Sequence, residues 1–200
     1  MNRNVTMRNN KETYRIAPMR FNLVLMIIAS CMLFAAFVSA YIVHMPDAAA
    51  KNTWTKFDLP IQFMFSALVA VLGSLSIYLA LRAAKADELV QNRLYLGLTL
   101  LLGIVFCFLQ YSGWQSMHSI GLVFVNADPE DISASYVYVI SFFHVLHVMG
   151  GLILLIVTLT KAFKLEVHKK ELTLMRVTHT YWHFVGLLWI YLYLFLYFAR

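Results

Sequence analysis

The sequence predicts an all-α, polytopic membrane bundle of five transmembrane helices. Three observations carry that prediction. Hydrophobic residues make up 61% of the 200 and charged residues 13%, with a mean hydropathy of +0.70; average globular chains are about a quarter charged. The apolar residues fall into five almost uncharged blocks, each about 18–25 residues long, as a helix needs to cross roughly 30 Å of hydrocarbon. The lysines and arginines are distributed unevenly between alternate connecting segments.

Residues 1–20 read as a basic cytoplasmic tail, with Arg3, Arg8, Lys11, Arg15 and Arg20 against a single acid, Glu12. The membrane domain, 21–200, opens with a span over about 21–43, which Met45-Pro46-Asp47 is expected to break. No small-residue cleavage site follows this block, so a retained anchor is expected rather than a cleaved signal peptide. Leu59-Pro60 starts the second span, about 61–81, since proline suits the first turn of a helix. The hydrophilic turn 82–93 leads to a third span over about 94–114. The connection after it carries Asp128, Glu130 and Asp131 but no lysine or arginine. A fourth span follows at about 136–160, then a basic loop, 161–176, and a fifth span at about 177–198.

Alternate segments sum to 13 lysines and arginines against 3. By the positive-inside rule the N-terminus is cytoplasmic and the C-terminus lies outside. Trp54, Trp114, Tyr136, Tyr138 and Tyr197 fall near the predicted interfaces, as an aromatic belt would. The net charge of +6 does not indicate nucleic acid, because the basic residues sit at helix ends and form no single face. Cys31 and Cys107 lie inside apolar blocks, where no disulfide is expected. No internal repeat supports an inverted-repeat transporter, and the absence of Asp or Glu from the spans argues against proton-coupled transport.

Polar groups within a span need a reason to be there. His144 and His147, three residues apart, share one side of the fourth span, and Gly151 lies on that side too. His179 and His183 repeat the arrangement at spacing four near the start of the fifth. Each pair reads either as interhelical hydrogen-bonding histidines or as metal or haem ligands. Counted from opposite ends, His147 and His183 fall within roughly 5 Å of the same depth, so one haem held between them, as in a b-type cytochrome anchor, is geometrically open. Ser30, Ser39, Thr99, Gln110 and Ser141 read as helix-packing glue, as do small-residue faces at Ala35, Ala36, Ser39 and Ala40 and at Gly150 and Gly151. No nucleophilic triad, phosphate loop or catalytic carboxylate pair is present.

Four segments resemble subunit III of the haem–copper oxidases. Tyr181-Trp182-His183-Phe184-Val185-Gly186-Leu187-Leu188-Trp189 is similar to that family's Tyr-Trp-His-Phe-Val-Asp-x-x-Trp signature. Phe143, His144, His147, Val148 and Gly151 match its Phe-His-Gly-x-His-Val-x-x-Gly segment. Thr99, Gly103, Phe106 and Gln110 match its third-span pattern. Met32-Leu33-Phe34-Ala35-Ala36 with Ser39-Ala40-Tyr41 is similar to its opening motif, and Leu59-Pro60 also fits. Three family carboxylates are replaced here, by Ser30, Gly113 and Gly186.

The resemblance implies the five-span bacterial form of an accessory subunit in the inner (cytoplasmic) membrane. Such a subunit is not itself catalytic: haem and copper belong to partner subunits I and II, and it stabilises subunit I and binds phospholipid. It also implies that His144, His147, His179, His183, Trp182 and Gln110 are structural or lipid-facing, with no metal or cofactor on this chain. A role in a quinol oxidase or a nitric oxide reductase stays open, because the electron donor is set by subunits I and II.

Overall fold

A computed structural model describes the backbone of residues 3–51, 54, 57–124, 132–164 and 172–199, with side chains from residue 19 onward. Five helices occupy it: α1 (Arg3–Ala50), α2 (Ile61–Lys85), α3 (Leu89–Ser119), α4 (Ser133–Phe163) and α5 (Thr173–Phe198). Each contains a stretch long and apolar enough to span a membrane, and no strand occurs among the described residues.

α2, α3, α4 and α5 pack in a ring, each against the next, with α5 closing back onto α2. α1 lies outside this ring and, among the described helices, touches only α4 and α5. Its contact is a seam repeating every three to four residues: Leu23, Ile27, Ser30, Phe34, Phe37, Val38, Tyr41, Met45 and Ala48. That is the spacing of one narrow helix face. Much of the remaining surface of α1 is exposed, including Ala35, Ala36 and Ser39 of the small-residue face, while Ala40 is half-buried.

One sequence expectation is corrected. Met45-Pro46-Asp47 does not break α1, which continues to Ala50. Pro46 removes one N–H and so one helical bond, a loss that membrane helices tolerate. The following turn is closed by Lys51 N–H to Asp47 O at 3.2 Å. Met45 and Ala48 pack into the same apolar cluster as Tyr41 and Trp54, which holds that turn in place. Helical backbone also reaches back to Arg3, through the segment read from sequence as a tail. Elsewhere the helices run a few residues beyond the expected spans, as at Leu89–Ser119 against 94–114.

Two tight turns set the order of the ring. After α2, Asp87 adopts φ 60°, and Glu88 N–H reaches back to Ala83 O at 3.0 Å. This is a Schellman closure with aspartate in the left-handed position usually held by glycine. Asn92 Nδ2 adds a bond to Ala80 O at 2.8 Å, so α3 leaves antiparallel and adjacent. After α3 the same closure recurs with Gly121 at φ 84° and Leu122 N–H bonded to Met117 O. The 125–131 and 165–171 segments, which hold most of the two long connections, lie outside the described residues.

Candidate functional site

His144, Gln110, Trp182 and Gly186 gather inside the ring, where α5 is the organising element, whereas His147 with Ser30 and His179 with His183 lie away from that centre. Trp182 occupies a slot made by glycines on three other helices. A Cβ on Gly103 of α3 would come within 2.7 Å of its ring, one on Gly73 of α2 within 3.1 Å, and one on Gly151 of α4 within 3.2 Å. Only glycine lets the helix backbones approach an indole this closely. Gly113 does the same for Phe63, whose ring would stand 3.1 Å from an added Cβ. Gly186 abuts α2, with Ser74 Oγ at 3.0 Å from such a Cβ.

About two turns beyond Trp182 along α5, Trp189 anchors a polar node. Its Nε1–H donates to Ser66 Oγ at 2.9 Å, and Gln110 Nε2 donates to the same oxygen at 2.9 Å. Ser66 in turn donates to Phe63 O at 2.7 Å. One hydroxyl thus ties together α2, α3 and α5 and uses its full bonding capacity. Ser66 is the residue that sequence reading missed. A lone serine in an apolar run carries no pattern, and the only hint was that buried Trp and Gln side chains need polar partners. Thr158 and Thr178 form a second unforeseen link, 2.7 Å apart between α4 and α5.

His144 is fully buried. Its Nε2 bonds Val185 O of α5 at 3.0 Å, which places the proton on Nε2. The ring lies 4.8 Å from that of Trp189 and borders a cavity of about 20 Å³ shared with Gly103, Trp182 and Gly186. His147, half-buried, turns to α1. Its Nδ1–H donates to Phe143 O at 2.7 Å, leaving Nε2 to face Ser30 Oγ at 3.1 Å. The Ser30 hydroxyl also lies 2.8 Å from Met26 O. Both histidine rings flank Phe34, as their shared helix side predicted, yet their nitrogens serve different helices. Tyr181 adds a bond from its hydroxyl to His147 O at 2.8 Å.

His179 and His183 face each other, with Nε2 atoms 3.1 Å apart. The nitrogen of His147 that could face a haem iron is directed at Ser30, and that of His183 at His179. They do not converge on a common point, and the cavity at the bundle centre holds one water's volume, not a macrocycle. Of the remaining glue candidates, Ser141 accepts from Trp114 Nε1 at 2.8 Å, joining α3 to α4. Thr99 bonds its own helix, at Tyr95 O. Among the described residues, no three His, Cys, Asp or Glu side chains converge as a metal cage would require.

This arrangement holds helices together. The family model for cytochrome c oxidase subunit III matches the chain over residues 1–200. The chain belongs to that family. It is a multi-pass membrane protein and a non-catalytic subunit of a haem–copper oxidase, and subunit III carries no redox centre of its own. Among similar proteins, the cytochrome bo(3) ubiquinol oxidase subunit 3 of Buchnera aphidicola is 25% identical over 173 residues, covering 86% of this chain and 87% of that one. The probable cytochrome c oxidase subunit 3 of Mycobacterium leprae is 30% identical over 172 residues, 84% of this chain and 82% of the relative. For the corresponding Mycobacterium tuberculosis protein the match is 30% over 133 residues, or 66% and 64%. Within this subunit III, Ser30 contacts the His147 imidazole and Gly186 lies close to α2.

Proposed function

We propose that this chain serves a bacterial cytoplasmic-membrane oxidase by packing against subunits I and II, which hold the haem and copper. In that role it binds phospholipid and prolongs the working life of the catalytic core. The observation that carries the reading is the match to the subunit III family over the whole chain, joined to a centre made of packing and hydrogen bonds. The exposed face of α1, with Ala35, Ala36 and Ser39, supports it further: small residues let a partner helix approach closely. His144, His147, His179, His183, Trp182 and Gln110 are structural or lipid-facing on this reading, and Ser30, Gly113 and Gly186 relay no protons. The donor is cytochrome c, as the family description implies; a quinol donor is the second reading, favoured by the 25%-identical ubiquinol oxidase relative.

Removing the chain, with subunits I and II intact and fully metallated, should leave initial oxygen consumption near normal while activity decays sooner during turnover. Immediate loss of oxygen reduction in that complex would refute the accessory role. Topology is tested separately. The split of 13 basic residues against 3 supports a cytoplasmic N-terminus and an external C-terminus. A phosphatase reporter fused after Arg200 should therefore be active, since it requires export. A fusion active only with a cytoplasmic reporter would overturn the orientation.

A further inference from the structure

His179 and His183 stand one turn apart on α5, half-buried, with ring planes 70° to each other and centroids 4.4 Å apart. Their Nε2 atoms point at one another across 3.1 Å. In this state one Nε2–H donates to the other ring's lone pair. With each ring turned by about 40° from the N···N line, the same spacing suits a second occupant. With two Zn–N bonds of about 2.05 Å, nitrogens 3.1 Å apart subtend about 98° at the metal. That angle falls between the right angle of square-planar sites and the tetrahedral value.

We propose that His179 and His183 form a two-point binding site for a borderline divalent transition cation of the copper, nickel or zinc class. Both Nε2 lone pairs would bind the ion. The ring that carries its proton on Nε2 moves it to Nδ1, so both imidazoles stay neutral and no net proton is released. Imidazole selects these metals over calcium and magnesium, which prefer oxygen ligands, and copper(II) binds tightest in the series. Two protein nitrogens leave the other positions to water or to a group from a neighbouring chain. The ion is thus an exchangeable ligand and not a resident redox centre.

The pair sits toward the start of α5. His179 and His183 lie roughly 9 and 15 Å along the helix from Thr173 at 1.5 Å per residue. Tyr78 of α2 flanks His179 at 6.4 Å between ring centroids. The charge of Lys85 also reaches His179; it opposes a cation, so binding relies on the two Nε2 donors and not on the local field. The other histidines with described side chains offer no comparable pair. His144 and His147 spend their nitrogens on different helices, and His44 and His118 stand singly on exposed positions.

The test uses the full-length chain in detergent micelles, without a polyhistidine tag, titrated with copper(II) and read by electron paramagnetic resonance. One equivalent should give a signal split by two nitrogens. His179→Asn and His183→Asn should each weaken binding by no less than the roughly 10–100-fold that loss of an outer-shell partner costs. The double variant should lose the two-nitrogen signal, while Tyr78→Phe and His118→Asn keep it. Persistence of that signal in the double variant, or its absence from the unmodified chain, overturns the site. A second measurement needs no variant: zinc(II) should protect His179 and His183 from carbethoxylation by diethyl pyrocarbonate, read by mass spectrometry. Equal modification with and without zinc overturns it as well.

Discussion

Trp182→Ala should be among the most damaging single changes in the chain, lowering stability by about 3 kcal/mol, the low end for a buried Trp→Ala change. The low end applies because in a bilayer the loss is mainly of close contact between helices, not of shelter from water. Gly73, Gly103 and Gly151 leave a slot shaped for an indole, and those backbones have no side chains with which to fill it. The converse change attacks the same fit. A Cβ at Gly103 would stand 2.6 Å from Leu152 Cδ2 and 2.7 Å from Trp182 Cη2. The leucine methyl can swing aside, but the indole is held by the other two glycines. Gly103→Ala should therefore cost about 1–3 kcal/mol, as overpacking does.

A double-mutant cycle separates this from general disruption. Trp182→Phe shortens the ring at the point of collision, so Gly103→Ala should cost clearly less in that background than alone. Thermal melting of the chain in detergent, followed by circular dichroism, measures all three variants. Strictly additive losses would mean that Gly103 and Trp182 do not share one slot.

How much of this was legible in the sequence depends on which physical signal each feature leaves. Length and hydropathy leave a strong one, and five helices follow from them alone. The exception, at Met45-Pro46-Asp47, is instructive. Proline removes one hydrogen bond, but Met45 and Ala48 recover packing that no local pattern reports. His144 and His147 were correctly placed on one side of α4, since helical periodicity fixes direction. Their partners, Val185 O and Ser30, depend on how α4 crosses α5 and α1, which spacing along one helix does not encode. Gly103 and Gly151 stood inside recognisable segments, whereas Gly73 did not, and nothing in the sequence shows that all three meet one indole. The His179–His183 contact is the opposite case: at spacing four it is local, and the sequence already contained it.

Ser66→Ala should destabilise the bundle by on the order of 1–4 kcal/mol, a large effect for the loss of one oxygen. The hydroxyl accepts from both Trp189 Nε1 and Gln110 Nε2, and all of these side chains are buried. Alanine leaves two donors with no acceptor where water does not readily reach, and an unmade buried bond costs more than a made one contributes. Gln110 sharpens the test, because its Oε1 has no hydrogen-bond partner among the described residues. Replacing the whole node by apolar groups, Ser66→Ala with Gln110→Leu and Trp189→Phe, should therefore recover much of the loss. A bonded network removed together leaves nothing unpaired. Melting in detergent gives the ranking, and Trp189 fluorescence in Ser66→Ala should report a changed indole environment. If Ser66→Ala melted with the unmodified chain, the serine would not be the shared acceptor that joins α2, α3 and α5.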